Sequence, residues 1–153
     1  STAYGISFAS PLIARFAACA WQTEPDLKNM ELFREIEKSG HLYPYYDYSH
    51  GYGIPRASYF VNGKDIAPDE NIHITQKDSM IMATVEMQGQ NKETIGKQND
   101  YFYYHIEGKD GTLEHYYIID VYEPEVLKLD ITGMKNKTLR FHFRGYTAEY
   151  TIK

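Results

Sequence analysis

The residue best placed to do covalent chemistry is Ser7, in the stretch GISFASPLIA at residues 5–14. A serine hydroxyl is a poor nucleophile at neutral pH and needs an adjacent imidazole to accept its proton. At a helix N-terminus the first backbone N–H groups have no intrahelical acceptor, so the N–H of Ser7 itself would be an oxyanion donor. Gly5 would let the chain turn tightly before the serine. The stretch predicts a nucleophile, and a plain helix N-cap is the alternative interpretation of Ser7.

The other reactive residue types form no comparable pattern. Asp47 and His50 have dyad-like spacing, but in a loop rich in Tyr and Gly a solvated surface pair is the simpler interpretation. The strand histidines show no metal-ligand spacing, so we expect no metal site and no cofactor. Cys19 is the single cysteine and lies in an apolar run, where it is expected to be a small core residue.

Composition narrows the function classes. Of 153 residues, 42% are hydrophobic and 24% charged, as in ordinary globular proteins. The net charge of -5 predicts no basic surface for nucleic acid. The longest apolar stretch, residues 12–21, is interrupted by Arg15 and is shorter than the roughly 20 residues of a membrane span, so no membrane partner is expected. The chain begins with Ser1 rather than Met, so the lack of a visible secretory signal excludes no compartment.

The first 61 residues have a helical pattern. Residues 7–22 are apolar nearly all round, which predicts a helix buried on most faces, against the following domain or a second copy of the chain. A second helix is predicted from Asn29, as its N-cap, to a stop at Gly40. Its predicted inner stripe is Leu32, Phe33 and Ile36.

After Val61 the hydrophobic period becomes two, which is typical of strands. Glycine-rich turns at residues 108–112 and 133–137 predict hairpins, and the polar residues 88–100 predict a loose loop. We therefore expect an α+β chain with domains at residues 1–61 and 62–153, the second an antiparallel β-sandwich of about seven strands. The strands are predicted at residues 71–76, 79–87, 101–107, 113–122, 126–131, 138–143 and 146–152.

The serine stretch resembles the motif of the bacterial subtilase family, Gly-Thr-Ser-x-Ala-x-Pro followed by a buried helix, at Gly5, Ser7, Ala9 and Pro11. Residues 50–60, HGYGIPRASYF, are similar to the strand and short helix that close a subtilase catalytic domain. The resemblance implies that residues 1–61 are the last segment of a subtilisin-like α/β catalytic domain. Residues 62–153 would then be the β-sandwich that many secreted members carry after it.

The resemblance also implies what lies elsewhere. Subtilases carry their Asp and His, and the Asn of the oxyanion hole, before the serine. None of the six residues before Ser7 is Asp, His or Asn. The implied protein is a secreted or cell-envelope endopeptidase that acts on peptide or protein substrates once an upstream catalytic segment joins Ser7. The chain alone is expected to be inactive and to self-associate through its apolar first helix.

Two departures from the family pattern leave the activity of the parent protein open. Ile6 replaces the family's Thr, and Arg15 replaces a small Gly where helices pack closely. One alternative is therefore a degenerate protease whose sandwich serves in binding, and another is a purely structural sandwich. Tyrosine clusters such as YPYYDYSHGYG fit strand chemistry or a saccharide or peptide groove, and the sequence does not separate the two.

Overall fold

The computed structural model describes residues 5–62, 70–87 and 100–153, so the loop predicted at residues 88–100 lies almost wholly outside the described residues. The chain divides into two compact units. Unit 1 comprises Ser1–Tyr43 and Tyr52–Ile66, and unit 2 comprises Pro44–Gly51 and Ala67–Lys153. Within the described residues there are three helices and seven strands, which confirms an α+β chain that is mostly β.

Unit 1 contains α1 (Ile6–Thr23), α2 (Asn29–Lys38) and α3 (Ala57–Val61). The two long helices lie where the sequence predicts them. The N-cap of α2 is Lys28 rather than Asn29, because Glu31 Oε2 reaches back and accepts a hydrogen bond from the Lys28 N–H at 2.8 Å. Capping by the acidic side chain thus moves the helix start one residue earlier than predicted.

The helix α2 ends at Lys38, and a close backbone approach follows at Gly40. A Cβ at this position would lie 2.2 Å from the carbonyl oxygen of Tyr52, so only glycine fits. Two hydrogen bonds join the C-terminal end of α2 to residues 56–59. The Arg56 N–H donates to the Ser39 carbonyl at 3.0 Å, and the Tyr59 hydroxyl donates to Glu35 at 2.9 Å.

The side chains of α1 are mostly exposed, and its expected packing against unit 2 or a second copy of the chain stays a prediction. Phe8 and Leu12 are 59% and 68% exposed, and Ile13 and Trp21 are exposed as well. Cys19 is also exposed and is not the core residue that its apolar neighbours predict. Within unit 1, the helices that pack against α1 are α2 and α3. Both are shorter than α1, so they cover only part of its apolar surface.

In α2 only part of the predicted inner stripe is buried. Leu32 is buried and Ile36 is partly so, but Phe33 is exposed. Successive residues on a helix point about 100° apart, so Leu32 and Phe33 cannot share one narrow buried stripe.

The described residues of unit 2 form seven antiparallel strands in two sheets, in agreement with the predicted strand number and direction. The three-stranded sheet has the order β1-β2-β5, and the four-stranded sheet has the order β4-β3-β6-β7. The strands are β1 (Ile72–Lys77), β2 (Met80–Val85), β3 (Tyr101–Glu107), β4 (Leu113–Asp120), β5 (Glu125–Asp130), β6 (Thr138–Phe143) and β7 (Tyr146–Thr151).

One hydrophobic core draws on both sheets. Its fully buried members include Ile81 and Ala83 from β2, Phe102 from β3, and Leu139 and Phe141 from β6. They recur at every second residue, because alternate side chains of a strand point to the same face.

The two predicted hairpins have different outcomes. Residues 108–112 do join β3 to β4, with Gly111 at a φ of +78° and the Gly108 N–H bonded to the Thr112 carbonyl at 2.8 Å. Residues 133–137 do not form a hairpin, because β5 pairs with β2 whereas β6 pairs with β3. This turn carries the chain from one sheet to the other.

Truncation of Phe141 tests the core. The Phe141 ring lies 5.8 Å from the Phe102 ring and 6.1 Å from the Tyr104 ring, and its side chain is fully buried. We expect Phe141→Ala to lower the free energy of unfolding by about 3–5 kcal/mol through the cavity it leaves. Urea unfolding followed by far-ultraviolet circular dichroism measures the loss. The control, Tyr122→Ala at a strongly exposed position, should change it by less than about 0.5 kcal/mol.

Candidate functional site

Ser7 lies in the first turn of α1, with its side chain exposed. The helix starts after Gly5, and the Phe8 N–H donates to the Gly5 carbonyl at 3.0 Å. No described residue caps the helix N-terminus with its side chain, so the first backbone donors remain directed outwards, as an oxyanion site requires. The hydroxyl and the donor therefore occur together on one short turn.

The other motif residues support this turn in different ways. Gly5 has a φ of +150°, a conformation that favours glycine, while the space around a Cβ there is open, so the backbone and not crowding selects glycine. Pro11 stands inside α1, in its second turn rather than its first. Because Pro11 has no N–H, the Ser7 carbonyl lacks its usual intrahelical donor. Ala9 is exposed on the same turn.

Within residues 5–62, 70–87 and 100–153, no imidazole or carboxylate is hydrogen-bonded to the Ser7 hydroxyl. Without a general base the serine keeps its proton at neutral pH. The described residues also contain no group of three or more His, Cys, Asp or Glu side chains that could hold a metal ion. No helix among them is long and apolar enough to cross a membrane.

A second cluster of chemically capable groups lies in unit 2, where residues 44–51 pack on the four-stranded sheet; we call this segment the tyrosine loop. Tyr45 is 0% exposed. Its ring centroid lies 4.9 Å from that of His105 on β3 and 5.5 Å from that of His142 on β6, and it stacks on the second. The phenol thus inserts against two imidazoles.

The alternation of the strands places both imidazoles on the outer face of the sheet. Their neighbours Tyr104, Ile106 and Phe141 point into the core, so His105 and His142 point away from it. Both histidines are nevertheless fully buried. The tyrosine loop accounts for this, because the Tyr45 ring contacts both of them.

Asp47 closes the tyrosine loop on itself. Its Oδ2 accepts hydrogen bonds from the Ser49 and His50 N–H groups at 3.0 and 2.8 Å, and it pairs with His50 Nδ1 at 2.6 Å. Asp47 and His50 therefore do pair, and the expected solvated surface pair is only half right: the His50 side chain is 56% exposed, but the Asp47 carboxylate is buried. The local bonds of the turn account for this burial, since they satisfy Oδ2 with three donors.

Beneath the loop, His105 Nε2 bonds Glu107 Oε1 at 2.7 Å. The Glu107 carboxylate also lies 3.7 Å from Arg140, which pairs with Glu149 at 3.0 Å. Four buried polar atoms around this cluster have no hydrogen-bond partner among the described residues. They are the Tyr45 hydroxyl, Asp47 Oδ1, His105 Nδ1 and Arg140 Nε.

Burial dominates the acid–base properties of the cluster. It raises the pKa of Tyr45 well above the ordinary value, and the Asp47 charge adds to the effect. Burial, again followed by Asp47, raises the pKa of Tyr103. For His105 burial lowers the pKa, although Glu107 acts in the opposite direction. At neutral pH the two tyrosines and His105 are therefore uncharged.

The sequence pointed to Ser7 and to the Asp47–His50 spacing, but not to the grouping of Tyr45, His105 and His142. The only local signal was the density of tyrosines in residues 43–52, which also fits strand chemistry. The grouping arises when a loop docks on a sheet formed some 60 to 100 residues later in the chain, and no short-range pattern encodes that docking.

Comparison with protein-family models, with curated protein sequences and with solved structures finds no match to this chain.

Removal of the Asp47 carboxylate tests the closure of the tyrosine loop. Asp47→Ala strips the Ser49 and His50 amides of their acceptor and leaves a space where a buried side chain stood. We expect it to lower the free energy of unfolding of unit 2 by about 1–3 kcal/mol in urea titrations.

Asp110→Ala is the matched control for Asp47→Ala. Asp110 accepts analogous short-range bonds from the Thr112 N–H and hydroxyl, which hold its pKa below the usual value, but in a fully exposed turn. Its loss should therefore cost less than that of Asp47. Equal losses in the two variants would contradict a special role for the buried carboxylate.

Proposed function

We propose that this chain is the C-terminal portion of a subtilisin-like serine endopeptidase in which Ser7 is the nucleophile. The observation that carries the proposal is the exposed Ser7 hydroxyl in the first turn of α1, two residues after Gly5, which has a φ of +150°. A hydroxyl, a backbone donor beside it and a glycine with positive φ thus lie within three residues, which supports a nucleophile with an oxyanion donor.

In the proposed reaction, the Ser7 hydroxyl oxygen attacks the carbonyl carbon of a peptide bond. An imidazole from the upstream catalytic segment takes the hydroxyl proton, and the carbonyl oxygen becomes an oxyanion that accepts a hydrogen bond from the Ser7 N–H. The imidazole then returns the proton to the leaving amine, and an acyl group remains on Ser7. Water releases that acyl group by the same steps in reverse order.

The uncovered side of α1 supports an upstream partner segment. Phe8, Leu12 and Ile13 lie within two turns of Ser7 and expose large apolar side chains. Covering such a side chain contributes about 1.5–3 kcal/mol each. A catalytic segment that brings an imidazole to Ser7 would also be in position to cover these three residues.

The two-sheet unit is, in this proposal, the accessory β-sandwich that follows the catalytic domain. Such a protein would act in a secreted or cell-envelope location on peptide or protein substrates. No described residue supplies a base to Ser7, so in this proposal the chain alone is inactive, and it is available to associate with a second copy through α1.

Labelling with a fluorophosphonate tests the function, because only an activated serine reacts rapidly. We expect no labelling of the 153-residue chain. The protein encoded when the reading frame is continued upstream of the Ser1 codon should label at Ser7 and cleave an unstructured protein substrate. Both activities should fall at least about 10³-fold in Ser7→Ala.

Ser10→Ala, one turn along the same helix, is the matched control and should keep full labelling. Rapid labelling of the 153-residue chain itself, lost in Ser7→Ala, would contradict the need for an upstream base. An extended protein that does not label would instead favour the degenerate protease with a binding or structural β-sandwich, which Ile6 and the guanidinium of Arg15 on α1 suggest.

A further inference from the structure

The tyrosine loop contacts its sheet through Tyr48 and Ser49, which reach Tyr116 on β4, and through Tyr45. This side chain is fully buried, whereas Tyr46 and Tyr48 in the same loop are about half exposed. Tyr48 touches the edge of the His105 ring at 6.1 Å between centroids. The docking of the loop therefore depends on the surface that His105 and His142 present to Tyr45.

The contacts of His105 show which of its ring nitrogens carries the proton. The Glu107 carboxylate only accepts hydrogen bonds, so the bond at 2.7 Å places a proton on His105 Nε2. In the neutral ring Nδ1 is then an unprotonated acceptor. Nδ1 is buried and has no partner among the described residues. A second proton would create a buried N–H donor with nothing to bond, together with a positive charge under the Tyr45 ring.

The groups that face His105 act in opposing directions. The Glu107 and Asp47 carboxylates favour a charged imidazole, whereas burial and the Arg140 guanidinium oppose it. Burial is the largest influence, and the pKa of His105 is lowered. The remaining polar or titratable groups around the Tyr45 contact are Tyr103 on β3, His142 on β6 with its bond to Thr147 on β7, Glu149 on β7, and Tyr48 and His50 in the loop.

We infer that the tyrosine loop is an acid-released latch, which leaves the four-stranded sheet when His105 takes up a proton at Nδ1. Undocking gives the new N–H and the charge access to water. The docked form is disfavoured for the protonated ring, so the contribution of His105 to docking is fully present above the ordinary histidine pKa and is lost as the pH falls through the lowered value. His50 opposes release, since its pair with Asp47 strengthens when it is protonated.

The latch is a property of unit 2 and does not depend on the chemistry of Ser7. Release would expose Tyr45 and both imidazoles, a surface of one phenol and two titratable rings that is covered at neutral pH. A surface of this kind is displayed only in acidic surroundings.

Hydrogen–deuterium exchange of the 153-residue chain tests the latch. Exchange is compared at about pH 7.5 and about pH 5, after correction for its intrinsic pH dependence. We expect the amides of residues 47–51 to lose protection about tenfold or more at the lower pH, while β2 keeps its protection. A loss that extends equally to β2 would mean unfolding of the whole unit and would overturn the latch, as would unchanged protection of residues 47–51.

The variant His105→Gln removes the titration and retains a donor that can reach Glu107. It should keep residues 47–51 protected at both pH values. His73→Gln is the matched control, because His73 also bonds a glutamate, Glu86, at 2.8 Å but is half exposed on β1. It should show the wild-type loss. An undiminished loss of protection in His105→Gln would refute the role of His105.

Should His105→Gln fail to fold, titration of the wild-type imidazoles by nuclear magnetic resonance decides the question. The midpoint of His105 should lie below the ordinary histidine value and coincide with the midpoint of loop exchange. A loop midpoint that follows His142 or His50 instead would overturn the assignment.

Discussion

The insertion of Tyr45 against His105 and His142 is the contact on which the organisation of unit 2 depends. It covers the outer face of β3 and β6 at the one place where two imidazoles would otherwise meet water. It also makes residues 44–51 part of the two-sheet unit, although Tyr43 and Tyr52 on either side belong to unit 1. Because Tyr45 carries its hydroxyl into this site without a partner among the described residues, the contact gains its stability from ring packing rather than from hydrogen bonding.

Burial of an outward-facing side chain requires another segment to cover it, and α1 in unit 1 has less cover than the sheet in unit 2. In unit 2 an outward-facing pair of residues is buried because a loop covers it, whereas in unit 1 the apolar residues Phe8 and Leu12 of α1 stay exposed. A large uncovered apolar surface on an otherwise regular helix marks an interaction site. Under the proposed function, a segment that brings an imidazole to Ser7 would also cover these apolar residues.

Much of the fold is predictable because it is encoded locally. The alternation of apolar and polar residues predicted both ends of β3 and β6 correctly, and Gly111 marked a true hairpin. Predictions were less successful where contacts between distant residues determine burial or strand pairing. The exposure of Cys19 depends on what covers α1, and the turn at residues 133–137 joins different sheets because β5 pairs with β2. The candidate site divides in the same way: Ser7 could be found from its neighbours, but the Tyr45 cluster required a loop and two strands to meet.

Ser7 and His105 show why chemical capacity depends on what surrounds a group rather than on its type. Ser7 has an exposed hydroxyl and no base among the described residues, so under the proposed function it reacts only when another segment supplies an imidazole. His105 has a buried Nδ1 and no described acceptor, so it stays neutral until the loop gives water access. A phenylalanine at residue 105 would pack against Tyr45 without leaving Nδ1 unbonded, and it would not respond to pH. An imidazole at this position leaves Nδ1 buried without a hydrogen bond, which weakens the docked form of the tyrosine loop. It also makes docking depend on pH, which an apolar ring cannot do.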